Sequence, residues 1–149
     1  MNNLRVTTLI ITCALLGACT AGKESPRGFS LPEGNIEAGK TAFQALQCNA
    51  CHSTRDVEQA DSETDISVTL GGEVGRVKTY ADLVTSVINP SHRLARGYPV
   101  ADIAEGAESR MRNYNEVMSV QELIDVVSYL QPQYQLRVYE PTVYRGYHP

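Results

Sequence analysis

Cys48-Asn49-Ala50-Cys51-His52 is the stretch on which the reading of this chain turns. Two thiols separated by two residues and followed at once by an imidazole match the C-x-x-C-H pattern of covalent haem attachment. Thiols held that close can add to the two vinyl groups of one haem, forming thioethers, while the next side chain offers its imidazole to the iron. Cys48 and Cys51 are therefore the candidate attachment points and His52 the candidate proximal ligand. Three other chemistries use such cysteines: a structural disulfide, a thioredoxin-like redox pair and half of a zinc site. Each fits less well. A thioredoxin pair follows a strand and precedes a helix, whereas here a helical pattern comes first. A zinc site needs a second C-x-x-C pair, which the sequence does not contain.

Upstream, Met1 to Ala18 reads as an export signal: Arg5 precedes the apolar run Leu9-Ile10-Ile11-Thr12-Cys13-Ala14-Leu15-Leu16, and small residues follow. The run is shorter than the roughly 20 apolar residues that a membrane-spanning helix requires. Leu16-Gly17-Ala18-Cys19 resembles the lipobox of bacterial lipoproteins. That resemblance implies cleavage before Cys19, a diacylglycerol on its sulfur and an acylated amino terminus; the alternative is an incidental thiol behind an ordinary cleavable signal. It also implies a lipid-anchored protein on the periplasmic side of the cell envelope. Thr20 stands where enteric lipoproteins retained at the inner membrane carry aspartate, which favours the outer membrane slightly. Export agrees independently with the haem motif, because attachment of this kind takes place outside the bacterial cytoplasm. The 149-residue chain carries a formal charge of -4, and loss of Arg5 with the leader makes the mature chain one unit more acidic, which argues against nucleic acid as a partner.

The rest of the chain divides into a polar tether at 19–30, a folded domain at 31–131 and a tyrosine-rich tail at 132–149 with Tyr134, Tyr139, Tyr144 and Tyr147. Three helices are predicted. The first covers Ile36 to Leu46, with Asn35 as N-cap and Ala38, Phe43 and Leu46 among its small and apolar positions. The second covers Tyr80 to Ile88, where Tyr80, Leu83, Val84, Val87 and Ile88 recur at helical spacing, Thr79 and Asp82 are spaced as a capping box and Asn89-Pro90 ends the run. The third covers Val120 to Leu130, opened by Ser119 and Glu122 and stopped by Pro132. A polar, acidic loop spans Ser53 to Asp65. Sheet-like alternation is scarce, so the expected class is all-α. Three short helices bury little, and a small core of that kind needs a staple such as a covalent cofactor.

With Gly39-Lys40-Thr41-Ala42-Phe43 running into Cys48-Asn49-Ala50-Cys51-His52, and Met111 ahead of a terminal helix ending Tyr129-Leu130, most of Ile36 to Leu130 resembles class I cytochromes c. The resemblance implies short helices packed around one covalent haem c, with the first and last helices crossing closely at Gly39, Phe43 and Tyr129. It implies Met111 as the sixth iron ligand and Arg76, in Leu70-Gly71-Gly72-Glu73-Val74-Gly75-Arg76, as a donor to a haem propionate. His92, in a proline turn after a helix, is the rival ligand; His148 lies two residues from the end of the sequence. Met118 has a packing role instead, since with Leu123 it has the spacing of a hydrophobic staple. The chain departs from the family twice. Arg112 replaces the proline that commonly follows the methionine, and no Gly-Pro follows the haem motif to supply the carbonyl that orients the proximal imidazole.

The function these features imply is a single-haem carrier of electrons between redox proteins rather than an enzyme. Its complexes would be weak, fast and steered by its acidic surface towards basic partners. Two alternatives stay open. Arg112 could leave Met111 labile, giving a ligand-binding or sensor haem, and the tyrosine-rich tail could seat the domain as a haem subunit of a larger oxidoreductase.

Overall fold

The computed structural model describes residues 31–76 and 78–138. The export signal, Cys13, Cys19, the tether, Tyr139, Tyr144, Tyr147 and His148 lie outside these residues.

Helix α1 covers Ile36–Ala45 and begins as predicted, with the Asn35 side chain accepting from the Ala38 amide. It ends one residue earlier than expected, at a Leu46 cap, because Gln47 adopts the left-handed conformation (φ 58°) and turns the chain into a 3-10 turn at Cys48–Ala50. Helix α2 spans Tyr80–Ile88, opened by the predicted Thr79–Asp82 capping box. A one-turn helix α3, Val100–Ile103, follows Pro99 and is too short to leave a periodic trace in the sequence. Helix α4, Val120–Leu130, starts at the Ser119–Glu122 box. Its chain tightens into a 3-10 turn, Gln131–Gln133, at Pro132, which cannot donate to continue the helix.

The centre of the fold is the crossing of α1 and α4. A side chain at Gly39 would fall on the Asp125 carbonyl and lie 2.8 Å from Tyr129 Cβ, and one at Gly34 would lie 2.6 Å from the Ile124 carbonyl oxygen. The two glycines let the backbones touch. Phe43 and Tyr129 then meet at a ring-centroid distance of 5.7 Å with planes tilted by 56°, the offset geometry aromatic pairs prefer. Buried Asp125 accepts across the same crossing from the Asn35 amide at 2.8 Å and, within α4, from Gln121 Nε2 at 3.0 Å. Leu83, Val84 and Val87 of α2 and Ile124, Val126, Val127 and Leu130 of α4 complete the apolar interior. Each such side chain contributes about 1.5–3 kcal/mol by leaving water.

Three two-stranded ladders pin the loops. Strand β1, His52–Ser53, pairs in parallel with β2, Val68–Thr69; β3, Gly72–Val74, pairs in parallel with β6, Tyr134–Leu136; β4, Ala104–Glu105, pairs antiparallel with β5, Glu108–Ser109. Strands of two or three residues cannot show alternation, so the helical class was legible in the sequence and the ladders were not. The β6 pairing also changes the picture of the tail, because its described part is built into the fold. Gly71, at φ 110°, permits this: a side chain there would lie 2.8 Å from the Gln133 carbonyl oxygen. Among the described residues no helix is long and apolar enough to cross a membrane.

Candidate functional site

The end of α1 delivers the motif. The left-handed turn at Gln47 lets the Ala50 amide donate back to the Gln47 carbonyl at 3.0 Å, which coils Cys48 to Ala50 and brings both cysteines onto one short arc. The acidic loop then folds back under it. Asn49 accepts from the Ala60 amide at 2.8 Å, and the Ala50 carbonyl accepts from Ser62 Oγ at 2.8 Å and from Gln59 Nε2 at 3.0 Å. The Gln59 amide also donates to the Ile66 carbonyl at 2.8 Å, so one side chain ties the motif to the approach of β2.

Pairing of β1 with β2 sets the imidazole. His52 Nδ1 lies 3.1 Å from the Val68 carbonyl oxygen. A carbonyl can only accept, so Nδ1 carries the proton and Nε2 keeps the lone pair, which is the tautomer an iron ligand requires. Burial pushes the imidazole pKa below its usual value, opposed in part by the Val68 bond, and keeps the ring in its neutral, ligating form. Val68 is thus the source of the carbonyl that the missing Gly-Pro left unassigned. As a backbone atom it has no side-chain signature by which the sequence could have revealed it.

Cys48 and Cys51 are half-buried and not bonded to each other. Burial pushes the Cys48 thiol up to about 11, although contact with the Tyr114 hydroxyl works the other way. A thiol so high is protonated at neutral pH, the opposite of the low-pKa nucleophile of a thioredoxin pair. Among the described residues no group of three or more His, Cys, Asp or Glu side chains is arranged to hold a metal ion. Two thiols on one short arc, not bonded to each other, and one imidazole held in its ligating tautomer fit the requirements of a covalently attached haem.

A polar cluster beside the site was not foreseen. Asp56 Oδ1 accepts from Tyr129 Oη at 2.9 Å, from Gln133 Nε2 at 3.0 Å and from Thr54 Oγ1 at 3.2 Å, and Asp56 Oδ2 lies 3.1 Å from Lys40 Nζ. Thr54 and Tyr129 hydroxyls are 2.7 Å apart, and Thr54 also accepts from the Val57 amide. The residues next to β1 are thereby bolted to both helices of the crossing. Asp56 reads in sequence only as one acid of a polar, acidic loop, because its partners lie up to 77 positions away.

The remaining candidates are placed as follows. Met111 is half-buried, its amide donating to Ser109 Oγ at 3.1 Å directly after β5. The next residue, Arg112, lays its guanidinium 5.5 Å above the Tyr114 ring, and the Tyr114 hydroxyl donates to the Leu46 carbonyl at 2.9 Å, two residues before Cys48. His92 is exposed and turned onto its own 3-10 turn, Pro90–His92, with Nδ1 2.8 Å from the Asn89 carbonyl. Met118 lines one groove with Leu123, Val87 and Tyr114, in keeping with a packing role. Arg76 is 71% exposed and lies 3.9 Å from Asp82, which Arg93 holds more closely at 2.9 Å; among the described residues no hydrogen bond or ion pair of Arg76 reaches the motif. The structure therefore brings together Cys48, Cys51 and His52, ties the Met111 segment to the same turn through Tyr114, and leaves His92 and Arg76 at the surface.

A protein-family model described as Cytochrome c matches residues 36–133. No curated protein and no solved structure matches the chain.

Proposed function

The chain belongs to the cytochrome c family, whose covalent haem c serves electron transfer, and on that premise we propose that it is a single-haem carrier passing electrons one at a time between redox proteins. The observation that carries this is the His52 tautomer, fixed by the Val68 carbonyl beside two cysteines that are not bonded to each other. Haem attached at Cys48 and Cys51 supplies an iron that gains and loses one electron without bonds being made or broken, so this chain's task is to hold its ligands still. His52 is the proximal ligand, with its ring orientation set from β2. Met111 is the sixth ligand; what supports it over His92 is its half-buried position on a segment braced by Arg112, Tyr114 and Leu46, against an imidazole exposed at the surface. Arg76 is assigned to a propionate on the resemblance of its loop.

The Arg112–Tyr114 stack also favours the carrier over a sensor with an easily opened iron, because the cation in the place of proline is engaged rather than loose. Cys19 carries the lipid that holds the domain on the periplasmic face of the envelope, within reach of membrane-bound donors and acceptors. The test is the optical spectrum of the matured protein in both oxidation states. A c-type pyridine haemochrome with the weak red band of iron–methionine sulfur, lost in Met111→Ala and kept in His92→Ala, is the expected result. Absence of covalent haem would overturn the reading, and rapid carbon monoxide binding at neutral pH would replace the carrier by a ligand-binding haem.

A further inference from the structure

One peptide group makes two hydrogen bonds at opposite ends. The carbonyl of Val68 receives His52 Nδ1–H at 3.1 Å, and the N–H of the same Val68–Thr69 peptide donates to Tyr98 Oη at 3.1 Å. Tyr98 is placed for this by its neighbours. Gly97 turns the chain at φ 89°, and Pro99 holds the residue before it out of the helical region, so Tyr98 stands at a corner ahead of α3. The β1–β2 ladder supplies the remaining support, with the Val68 amide donating to Cys51 at 2.9 Å and the Leu70 amide to Ser53 at 2.8 Å.

We propose that Tyr98 is a positioning and tuning residue for the proximal imidazole: by accepting the Thr69 amide it strengthens the Val68 carbonyl as acceptor of His52 Nδ1–H and lowers the potential of the bound iron. The physics is the resonance of the amide. An acceptor on the N–H and a donor on the C=O polarise the group in the same direction, and each bond strengthens the other by about 10–30%. A stronger pull on Nδ1–H gives the imidazole more anionic character and makes Nε2 a better donor, which favours ferric over ferrous iron. This inference rests on the proposed role of His52 as iron ligand.

Tyr98→Phe removes the acceptor and keeps the ring. In the holoprotein it should shift the one-electron equilibrium about two- to threefold towards ferrous iron. Threefold corresponds to a midpoint about 28 mV higher, at 59 mV per tenfold for one electron. The Nδ1–H proton of the diamagnetic ferrous protein should move upfield and the Thr69 amide should exchange faster. Should the phenylalanine variant fail to fold, ring-fluorinated tyrosine at position 98 keeps the shape while weakening the oxygen as acceptor, and the potential should rise in the same direction. Faster exchange at Thr69 with an unchanged potential and an unchanged Nδ1–H resonance would overturn the inference and leave Tyr98 a merely structural contact. A wild-type chain without covalent haem would instead overturn the underlying assignment of His52, so the two failures are told apart by the pyridine haemochrome of the parent.

Discussion

Replacing Gly39 by alanine tests the packing on which the site rests. The added methyl has nowhere to go: it would fall on the Asp125 carbonyl and lie 2.8 Å from Tyr129 Cβ, and the first of these is backbone that cannot swing aside. The helices must separate. Overpacking of this sort costs about 1–3 kcal/mol, and a collision with backbone belongs at the upper end. Alanine is the better helix former by about 1 kcal/mol, which offsets part of the loss and leaves a net destabilisation of about 2 kcal/mol. For a domain of this size that lowers Tm by about 8–16 °C. Urea unfolding of the holoprotein, followed by far-ultraviolet circular dichroism and haem absorbance, measures it as a fall in midpoint at constant slope. Ala38→Gly, next door on the exposed side of α1, isolates the propensity term and should cost about 1 kcal/mol. A Gly39→Ala protein as stable as the parent would refute the close crossing, since the propensity gain would then meet no steric opposition.

Acid unfolding should expose the α2 cap. The Thr79 hydroxyl and amide, with Arg93, hold the Asp82 carboxyl down to about 2 from its ordinary 3.8. Its contribution to stability is therefore complete above about pH 4 and is lost as pH falls towards 2; Asp82→Asn should remove about 1 kcal/mol at neutral pH and flatten the stability profile within that window. Gln47→Gly should stabilise the protein by about 1 kcal/mol in the same urea assay, because a side chain at φ 58° bears a steric cost that glycine does not.

How much was legible follows from the range of each signal. Caps and helical stripes are local, so Asn35, the Thr79–Asp82 and Ser119–Glu122 boxes, and the limits of α2 and α4 could be read directly. The motif at Cys48, Cys51 and His52 is local as well. The end of α1 was misplaced by one residue because nothing in glutamine announces a left-handed turn. What the sequence could not display was long-range and borne by backbone: the Val68 carbonyl on His52, the Tyr98 hydroxyl on the Thr69 amide, the strand from the tail lying along β3. Asp56 belongs with these, since an acid in an acidic loop looks the same whether it is solvated or receives Tyr129 and Gln133.

Both departures from the family's prolines meet a substitute of one kind. Proline restrains a loop covalently, by fixing φ within a ring. After the haem motif this chain has no such ring, and the acceptor for His52 sits in a parallel ladder closed by the Cys51 and Ser53 carbonyls. After Met111 the restraint is again non-covalent, with Arg112 stacked on Tyr114 and Tyr114 bonded to Leu46. Such restraints are shared with the rest of the fold: the ladder is flanked by the Gln59 and Asp56 contacts, and Tyr114 is packed between the two segments it joins. Rigidity around the iron is then cooperative with the folding of the whole domain. A change at Gly39, remote in sequence from both loops, reaches β1 through Tyr129, Thr54 and Asp56. Ligand geometry and global stability should accordingly weaken together in this protein, where proline-fixed loops would let them part.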